Sequence, residues 1–457
     1  MPLSQYRREF STFLDVVVAV LAYVVAVQWH VGGFARGTNL WYVEMAPTVV
    51  AVWWILSLVI RQDVPYRLGG TWRELQETVL LNGVGAILLL ALNLATKHDA
   101  VSRLILVGFP ALAAITSTAL RFALRAWLGW RRRGGHDVHH VLLAGPAGPV
   151  RQLATSLLHR DAGLLPLGVL LPPDTGTDAR ESLPVLGDYH RLADVLHARV
   201  VDQVAFAMPL DDGALRPMIE TCLREGKSVW LATTDAFSSR LLGNRPDQLL
   251  VLSVPRDAVG VTIKRALDIG LAATALLVAV PLLAACALAV CLDDPTGPPI
   301  FRQRRVGLHG REFTVYKFRS MGTDAEQRRA ALQGRNEMSG PVFKIRDDPR
   351  ITRVGRFLRR YSLDELPQLW NVLRGDMSLV GPRPSLPDEV RQYEPEFRRR
   401  LACRPGLTCL WQVSGRNAVD FRTWMELDLQ YVDNWSLGLD LQILMRTIPT
   451  VFKGSGM

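Results

Sequence analysis

The sequence contains few cysteines, and none of them is arranged for metal binding. Its 457 residues include five, and no two stand at CxxC spacing. The cysteines therefore give no sign of a CxxC metal or redox motif. An odd number of thiols, two of them in an apolar run, predicts reduced cysteines that face a cytoplasm or lipid. Pairing of Cys403 with Cys409 is the alternative; the other cysteines are Cys222, Cys286 and Cys291.

Acidic residues are also in deficit. The chain has 53 Lys and Arg against 43 Asp and Glu, a formal net charge of +10 and a pI near 9.7. This balance favours nucleic acid, an anionic membrane surface or a phosphorylated substrate as partner. The apolar fraction of 49% favours the membrane. Because the chain lacks the interleaved aromatics and the reading helix of a nucleic-acid binder, no nucleic-acid partner is predicted.

No cleavable signal peptide is predicted, because the first apolar run has no small-residue cleavage site and further runs follow it. Residues 1–133 instead predict an N-terminal bundle of four transmembrane helices. Arginines flank alternate loops, which places both ends of the bundle in the cytoplasm. The polar residues Asn82 and Arg121 are assigned to helix–helix hydrogen bonding or snorkelling rather than to chemistry. The apolar runs are Phe13–Trp29, Met45–Ile60, Thr78–Thr96 and Leu104–Leu128.

Residues 134–236 lack the GxGxxG signature of a dinucleotide-binding domain, although strand and helix patterns alternate there as in a Rossmann-like α/β domain. The first strand is followed by Gly145-Pro146-Ala147-Gly148, which we interpret as a tight turn into a helix rather than a cofactor site. A regulatory or oligomerising role is expected. The predicted strands are Val141–Ala144, Gly168–Leu171, Val201–Ala207 and Val229–Thr233, and the predicted helices include Leu192–Ala198 and Leu215–Glu225.

Residues 237–262 are predicted to be a linker, and residues 263–292 a membrane segment. The apolar run Ile269–Leu292 has the length of a fifth span, but a crossing would place the basic region that follows outside the cytoplasm. Pro281 removes a backbone hydrogen bond and bends the helix. We therefore expect a re-entrant helix kinked at Pro281, with a kinked spanning helix as the alternative. Residues 293–457 then form a basic region on the cytoplasmic face.

The residues most suggestive of chemistry are the adjacent acids Asp364 and Glu365. They follow a basic stretch, residues 300–361, which has 16 Lys and Arg against 6 Asp and Glu. A strand over residues 313–321 places Lys317 and Arg319 on one face. A helix over residues 351–360 leads Arg359 or Arg360 to the acidic pair. Such a concentration of cations suits a diphosphate.

The segment Ser362-Leu363-Asp364-Glu365 supports two interpretations. A capping box, with Ser362 as N-cap and Glu365 at N3, explains both residues without catalysis. In the other interpretation, Glu365 helps bind a divalent cation and Asp364 attacks phosphorus at a helix N-terminus that also attracts phosphate. The spacing alone does not decide between them. Pro367 and Gly375 mark the start and the end of a short helix.

Two further arginines lie on Pro- and Gly-rich turns that suit bidentate phosphate binding: Arg383 in Gly381-Pro382-Arg383-Pro384 and Arg416 in WQVSGRN. The ordered motifs in residues 264–457 resemble the polyprenyl-phosphate hexose-1-phosphate transferases, also called large monotopic phosphoglycosyl transferases. The N-terminal half resembles this family by architecture. The motifs are KRALDIG, FRQRRVGLHGREFTVYKFRSM, SLDELPQLWNVLRGDMSLVGPRP, PGLT, WQVSGRN and LDLQYVDNWSLGLDLQILMRT.

The resemblance implies transfer of a sugar phosphate from a UDP-sugar, glucose or galactose first, to undecaprenyl phosphate. UMP is released, and the product begins an exopolysaccharide, capsule or O-antigen unit at the cytoplasmic face of the bacterial inner membrane. Asp364 is then the nucleophile and holds Mg²⁺ together with Glu365. The resemblance also implies a re-entrant helix in residues 263–292 and a cytoplasmic α/β catalytic domain in residues 293–457. The implied contacts to diphosphate, uridine or lipid phosphate are Lys317, Arg319, Arg360, Arg383 and Arg416.

Two positions depart from the family pattern. Members often have Ser-Pro at the kink, where this chain has Val280-Pro281, and Cys409 replaces the second Gly of the PG-T-G pattern. If that Gly requires a positive φ, Cys409 perturbs the site. A non-catalytic scaffold or regulator of polysaccharide export is the alternative to an enzyme. A homodimer through the α/β domain is a further expectation.

Overall fold

The structure is a computed structural model of the chain, which divides into two compact units: residues 1–138 with 157–164, and residues 139–156 with 165–457. It describes residues 7–31, 40–60, 71–95, 103–133, 138–158, 163–173, 183–209, 211–232, 249–252, 258–338, 340–343, 345, 347–414 and 420–452.

The N-terminal region contains four helices, as the apolar runs predict. Their bulky apolar side chains meet in a common core in which Phe109 packs edge-on against Tyr23, with ring centroids 5.2 Å apart. The polar residues serve helix packing. Trp53 Nε1 donates to Asn82 Oδ1 at 3.1 Å, and Arg121 forms a buried ion pair with Asp15 at 2.6 Å rather than snorkelling. The helices are α1 Arg7–Val31, α2 Leu40–Ile60, α3 Thr71–Ala95 and α4 Arg103–Arg133.

Three stretches in the described residues are long and apolar enough to cross a membrane: Leu75–Ala95, Ile105–Trp127 and Ile263–Asp293. The apolar parts of α1 and α2, Leu14–Trp29 and Glu44–Ile60, are shorter. The length and apolar character of these stretches indicate a membrane protein.

The Rossmann-like prediction is confirmed by a six-stranded sheet of order β3-β2-β1-β4-β5-β6. Every neighbouring pair whose register is resolved is parallel except β5 with β6. All four predicted strands and both predicted helices exist, with ends shifted by a few residues. The elements are β1 His139–Ala144, α5 Ala147–Leu158, β2 Leu164–Leu171, β3 Val185–Asp188, α6 Leu192–Ala198, β4 Gln203–Phe206, α7 Leu215–Arg224, β5 Ser228–Ala232 and β6 Leu249–Leu252.

The tight turn after β1 is confirmed and depends on glycine. Gly145 has φ +149°, and a Cβ there would lie 2.3 Å from the carbonyl oxygen of Ala207 at the end of the neighbouring strand. Only glycine permits this approach. Strand β6, by contrast, lies within residues 237–262, which were predicted to be a linker. β6 is a short antiparallel edge strand. Its four residues, Leu-Leu-Val-Leu, are all apolar, so they do not show the alternation of polar and apolar residues that predicts a strand.

The predicted membrane segment belongs to a longer helix, α8, which runs from Ala258 to Asp293 without interruption at Pro281. The helix therefore begins inside the predicted linker. Both of its ends pack on the domain that follows. Ala272 lies in one apolar core with β8, and Cys286 lies in another with Phe318.

The predicted catalytic domain, residues 293–457 and called the catalytic region below, consists of short elements around these two cores. The hairpin of β7 and β8 is antiparallel, and β9 pairs with β10 in parallel. The elements after α8 are β7 Ile300–Val306, β8 Glu312–Phe318, α9 Ala325–Ala331, α10 Arg353–Arg360, α11 Gln368–Arg374, β9 Ser378–Val380, α12 Pro387–Arg391, β10 Gly406–Thr408, α13 Leu410–Val413, α14 Phe421–Asp433 and α15 Leu437–Phe452, with 3₁₀ turns at Leu308–Gly310, Leu363–Glu365 and Pro395–Ala402.

The catalytic region docks against the amino-terminal edge of the sheet. Asp202, just before β4, forms a bidentate ion pair with Arg311 of the β7–β8 hairpin. Glu225, just before β5, accepts from Arg398 Nε at 3.2 Å. Both carboxylates are buried, so these pairs fix the hairpin and the 395–402 segment to the sheet.

Candidate active site

The acidic pair lies on a sharp corner between two helices. Ser362 adopts a left-handed conformation with φ +56°, and residues Leu363–Glu365 form one 3₁₀ turn before α11. Ser362 makes no side-chain cap hydrogen bond, so the capping-box interpretation is wrong. The short helix itself is confirmed: it follows Pro367 and ends at Gly375, which has φ +91°.

Two predicted cations converge on Glu365. Lys317 Nζ, from β8, lies 3.0 Å from Glu365 Oε1, and Arg383 Nη1, from the turn after β9, lies 3.3 Å from the same oxygen. Burial is the main reason that the pKa of Lys317 is lowered, and Glu365 opposes that change. The position of Glu365 is thus fixed by side chains from two segments that are distant from it in sequence.

Asp364 has a different environment from its neighbour. It is buried, 8% exposed, and among the described residues no cation forms an ion pair with it. Its pKa is raised, first because burial disfavours the carboxylate and then because Glu365 is negative. The charges of Lys317, Arg359 and Arg383 oppose this rise. An ionised Asp364 is therefore a poorly solvated carboxylate, a property suited to a nucleophile.

Both acids open into one cavity of about 1060 Å³. A volume of this order accommodates a large ligand such as a nucleotide sugar. Basic side chains outnumber acidic ones in the cavity lining, which also contains aromatic and polar groups. Its charged lining includes Arg305, Lys317, Arg319, Arg359, Asp364, Glu365, Arg383 and Glu389.

Three of the predicted contacts need comment. Arg319 lines the cavity, but its guanidinium is paired with Asp294 at 2.9 Å. Arg360 does not line it, and its guanidinium lies 5.8 Å from the ring of Tyr361. The preceding Arg359 lines the cavity instead, and a contact of Arg360 with the substrate stays a prediction. Arg416 lies outside the described residues.

Arg305 also lines the cavity, and it was not among the cations predicted from the sequence motifs. It donates to Gln303 Oε1 and to the carbonyl of Pro384, which links β7 to the turn that carries Arg383. Burial, followed by the charge of Arg383, lowers the pKa of Arg305 to about 10, so it remains a cation at neutral pH. The sequence signal was the GLHG turn, which pairs β7 with β8 and places Arg305 on the face of Lys317.

A buried network supports the Arg383 turn from behind. Arg400 Nη2 donates to the Arg383 carbonyl at 2.8 Å and to Asp428 Oδ2 at 2.5 Å. Arg400 Nη1 donates to Tyr393 and to Ser385. Because these groups are buried and mutually bonded, they fix the backbone that presents Arg383 to the cavity.

Cys409, the departure from the family pattern, leaves the backbone unstrained. Its φ is −148°, so the position does not require glycine for its conformation. The thiol is buried, and burial raises its pKa well above the ordinary value, which keeps it neutral. All five cysteines are free thiols, as predicted, and Cys403 does not pair with Cys409.

The acidic pair fits a divalent cation only as a partial ligand set. Within the described residues, no group of three or more His, Cys, Asp or Glu side chains forms a metal site. Mg²⁺ is commonly held by one or two carboxylates, with substrate phosphates and waters completing its shell. Asp364 and Glu365 are compatible with such a site.

Comparison with known proteins places this region in a family. The bacterial sugar transferase family matches residues 259–454, and a CoA-binding domain family matches residues 64–225. A galactosyl transferase of Streptococcus agalactiae is 52% identical over 35% of this chain and 36% of its own length. An undecaprenyl-phosphate galactose phosphotransferase of Salmonella typhimurium is 45% identical over 42% of this chain and 41% of its own length. The chain thus spans only about two fifths of these two relatives.

A third relative extends over nearly the whole chain. It is a UDP-glucose:undecaprenyl-phosphate glucose-1-phosphate transferase of Xanthomonas campestris, 32% identical over 96% of this chain and 94% of its own length. The chain belongs to the bacterial sugar transferase family. The matched region of this sugar transferase begins in α8 and contains every residue of the cavity described above.

Proposed function

We propose that this sugar transferase moves a hexose 1-phosphate from UDP-glucose or UDP-galactose to undecaprenyl phosphate and releases UMP. The names of the Salmonella and Xanthomonas relatives support this donor and acceptor class. The observation that carries the proposal is Asp364, a buried acid of raised pKa on the wall of a cationic cavity. The product is the first lipid-linked sugar of an exopolysaccharide, capsule or O-antigen unit.

In the first step, an oxygen of ionised Asp364 attacks the phosphorus that bears the sugar. The bond from this phosphorus to the bridging oxygen breaks, and UMP leaves with that oxygen and the electron pair. The hexose phosphate is now bound to Asp364 as an acyl phosphate. Lys317, Arg383, Arg359 and Arg305 surround the reacting diphosphate and stabilise the charge that develops on its oxygens.

In the second step, a phosphate oxygen of undecaprenyl phosphate attacks the same phosphorus. The bond to Asp364 breaks and the carboxylate is regenerated, so the enzyme returns to its starting state. Asp364 and Glu365 are the residues that would hold Mg²⁺, which, when bound, neutralises diphosphate charge. Glu365, fixed by Lys317 and Arg383, orients the corner on which Asp364 lies.

Helix α8 is proposed to enter the membrane and return to the same face. Near its start, Lys264 Nζ lies 2.6 Å from Asp440, and Asp268 accepts from the backbone of Leu379. At its end, Asp293 accepts from the backbone of Val354 at 3.1 Å. A straight helix of this length spans about 54 Å, yet both ends bind one domain. A bend at Pro281, with the exposed middle in lipid, reconciles these contacts.

We further propose that the enzyme lies in the bacterial inner membrane with its catalytic domain in the cytoplasm, where UDP-sugars are available. The N-terminal helices then act as a multi-pass anchor whose ends are cytoplasmic. A homodimer through the Rossmann-like domain completes the proposed arrangement.

The test is UMP release by the full chain in lipid nanodiscs with Mg²⁺, undecaprenyl phosphate and a panel of UDP-sugars. Asp364→Asn removes the nucleophile and is expected to abolish turnover. Asp388→Asn changes an exposed aspartate and serves as the matched control. Without acceptor, the wild type incubated with a UDP-sugar labelled in the hexose is expected to retain label on the protein, and the Asp364→Asn variant is not.

Turnover of Asp364→Asn at the wild-type rate would contradict this function. A scaffold or regulator of export makes a different prediction: polysaccharide output persists when Asp364 is neutralised but is lost when residues 139–234 are deleted.

A further inference from the structure

One buried acid in the cavity has no assigned role. Glu389 lies on α12, is 6% exposed and lines the same cavity as Asp364. Its Oε2 accepts from the backbone N–H of Leu386 at 2.8 Å and so caps the helix. In the described part of the chain, its other oxygen, Oε1, forms no hydrogen bond. Capping therefore accounts for only half of this carboxylate.

The surroundings of Glu389 indicate what kind of group its free oxygen accepts. The charges of Arg383 and Arg305 act on it from nearby, but no cation of the described residues lies within ion-pair distance. Because the Glu389 side chain lines the cavity and its Oε1 has no protein donor, this oxygen can accept a hydrogen bond from a ligand. A phosphate would be repelled by it. A neutral ligand that donates O–H groups satisfies the oxygen without repulsion.

The position of Glu389 relative to the reacting groups selects the part of the donor that it meets. Arg383 contacts Glu365 beside the nucleophile, and Glu389 is an electrostatic neighbour of Arg383. In a UDP-sugar, the hexose is bonded directly to the attacked phosphorus, whereas uracil is separated from it by a second phosphate and a ribose. Since Glu389 lines the same cavity as Arg383 and follows it by six residues, the hexose is the part of the donor that we place against it.

An aromatic wall in the same cavity supports this assignment. Trp411 and Trp424 both line the cavity, with ring centroids 4.7 Å apart and planes tilted by 47°. Trp424 is fixed by its Nε1, which donates to the buried Asp428 at 3.1 Å. A rigid aromatic surface beside a polar acceptor is the usual composition of a site for an uncharged polar ring.

We propose that Glu389 is a sugar-recognition residue of this enzyme. Its Oε1 accepts a hydrogen bond from a hexose hydroxyl while the ring packs against the Trp411–Trp424 wall. This inference rests on the proposed function, because it concerns the sugar of the same donor.

Glu389→Gln is the discriminating variant. Its amide oxygen still accepts from Leu386 N–H, so the cap of α12 is retained, while the free acceptor becomes an N–H₂ donor. The KM for the UDP-hexose is expected to rise about tenfold, since a hydrogen bond to a charged group contributes at least that much. The inhibition constant of UMP stays the same or falls, because a negative charge near the phosphates is removed. Asp388→Asn, at the neighbouring exposed position, is expected to leave both constants unchanged.

Deoxy analogues of the UDP-hexose identify the hydroxyl. The wild type discriminates against the analogue that lacks it, and Glu389→Gln loses that discrimination at this position while keeping it elsewhere. Equal discrimination by variant and wild type at every position would overturn the proposal. An equal weakening of UMP would also overturn it, because Glu389 would then recognise the nucleoside. If no UMP is released from any donor, the proposed function fails, and calorimetric binding of the same analogues still tests Glu389.

Discussion

Asp364 and Asp428 are two buried aspartates of the catalytic region, and they have opposite surroundings. Asp428 is bonded to Arg400 and to Trp424 Nε1, in a network that continues to Tyr393 and Ser385. Burial raises its pKa to about 6, although these bonds favour the carboxylate, so it is ionised at neutral pH. Asp364 has no ion pair within the described residues.

This contrast distinguishes a structural aspartate, Asp428, from the candidate nucleophile, Asp364. A paired buried charge is fixed because breaking the pair leaves its partner uncompensated. An unpaired buried charge is destabilising and reactive, and a fold retains it where function requires it. Substitutions in the Asp428–Arg400 network should therefore lower the stability of the fold. Substitution of Asp364 should instead lower enzymatic activity.

Asp428→Asn is the strongest test of this comparison. The change leaves the Arg400 guanidinium buried without its counter-charge, and a loss of about 3–5 kcal/mol in the free energy of unfolding is expected. Asp364→Asn, in contrast, removes an unpaired charge and should leave the thermal midpoint unchanged or higher. Thermal unfolding of both variants in nanodiscs measures this. Equal destabilisation by the two substitutions would remove the distinction.

The adjacent arginines Arg359 and Arg360 sharpen the comparison at the edge of the cavity. Arg359→Gln should lower kcat/KM roughly ten- to hundredfold, because a charge-assisted contact to phosphate contributes about 1.5–3 kcal/mol. Arg360→Gln removes the same charge from a side chain outside the cavity lining and should change kcat/KM less than about twofold. Steady-state kinetics of the two variants decides the matter, and a larger loss for Arg360→Gln would reverse the assignment.

The smallest expected effect is a shift in pH dependence. Asp364 must be ionised to attack phosphorus, and its raised pKa places the acid limb of activity above the ordinary range of an aspartate, near 3.9. Glu365→Gln removes the neighbouring negative charge, so the pKa of Asp364 falls and the limb moves to lower pH. The residual activity of this variant as a function of pH measures the shift, with Glu312→Gln at an exposed ion pair as control. A limb that stays in place or rises would show that Glu365 does not set this pKa.

Residue pattern was sufficient wherever periodicity or chemistry is local. The strands β1, β2, β4 and β5 and the helices α6 and α7 were predictable, because their apolar patterns are visible in sequence. The contact of Lys317 with Glu365 joins residues that are 48 positions apart, and only the folded chain brings them together. Which of Arg359 and Arg360 lines the cavity could not be predicted from the sequence either. Their difference depends on the phase of the last turn of α10 and on the left-handed corner at Ser362, which only the folded chain sets.

Glu389 and Arg305 illustrate the remaining gap. Neither lies beside the acidic pair in sequence, and each enters the cavity through tertiary packing of a separate element. Arg305 was in principle accessible through the strand pairing across the GLHG turn. Glu389 was not, because its sequence resembles an ordinary acidic residue in the first turn of a helix.

The apolar middle of α8 has a practical consequence for handling the protein. The stretch Ile263–Asp293 has a mean hydropathy of 2.8, and only 11% of its most apolar window is buried within the protein. A fragment without α1–α4 would therefore still expose the large apolar surface of α8 to water. A truncated enzyme starting at residue 258 would still require detergent or lipid to remain in solution, so the water-soluble fragment that domain dissection usually provides is not obtained by cutting at this boundary.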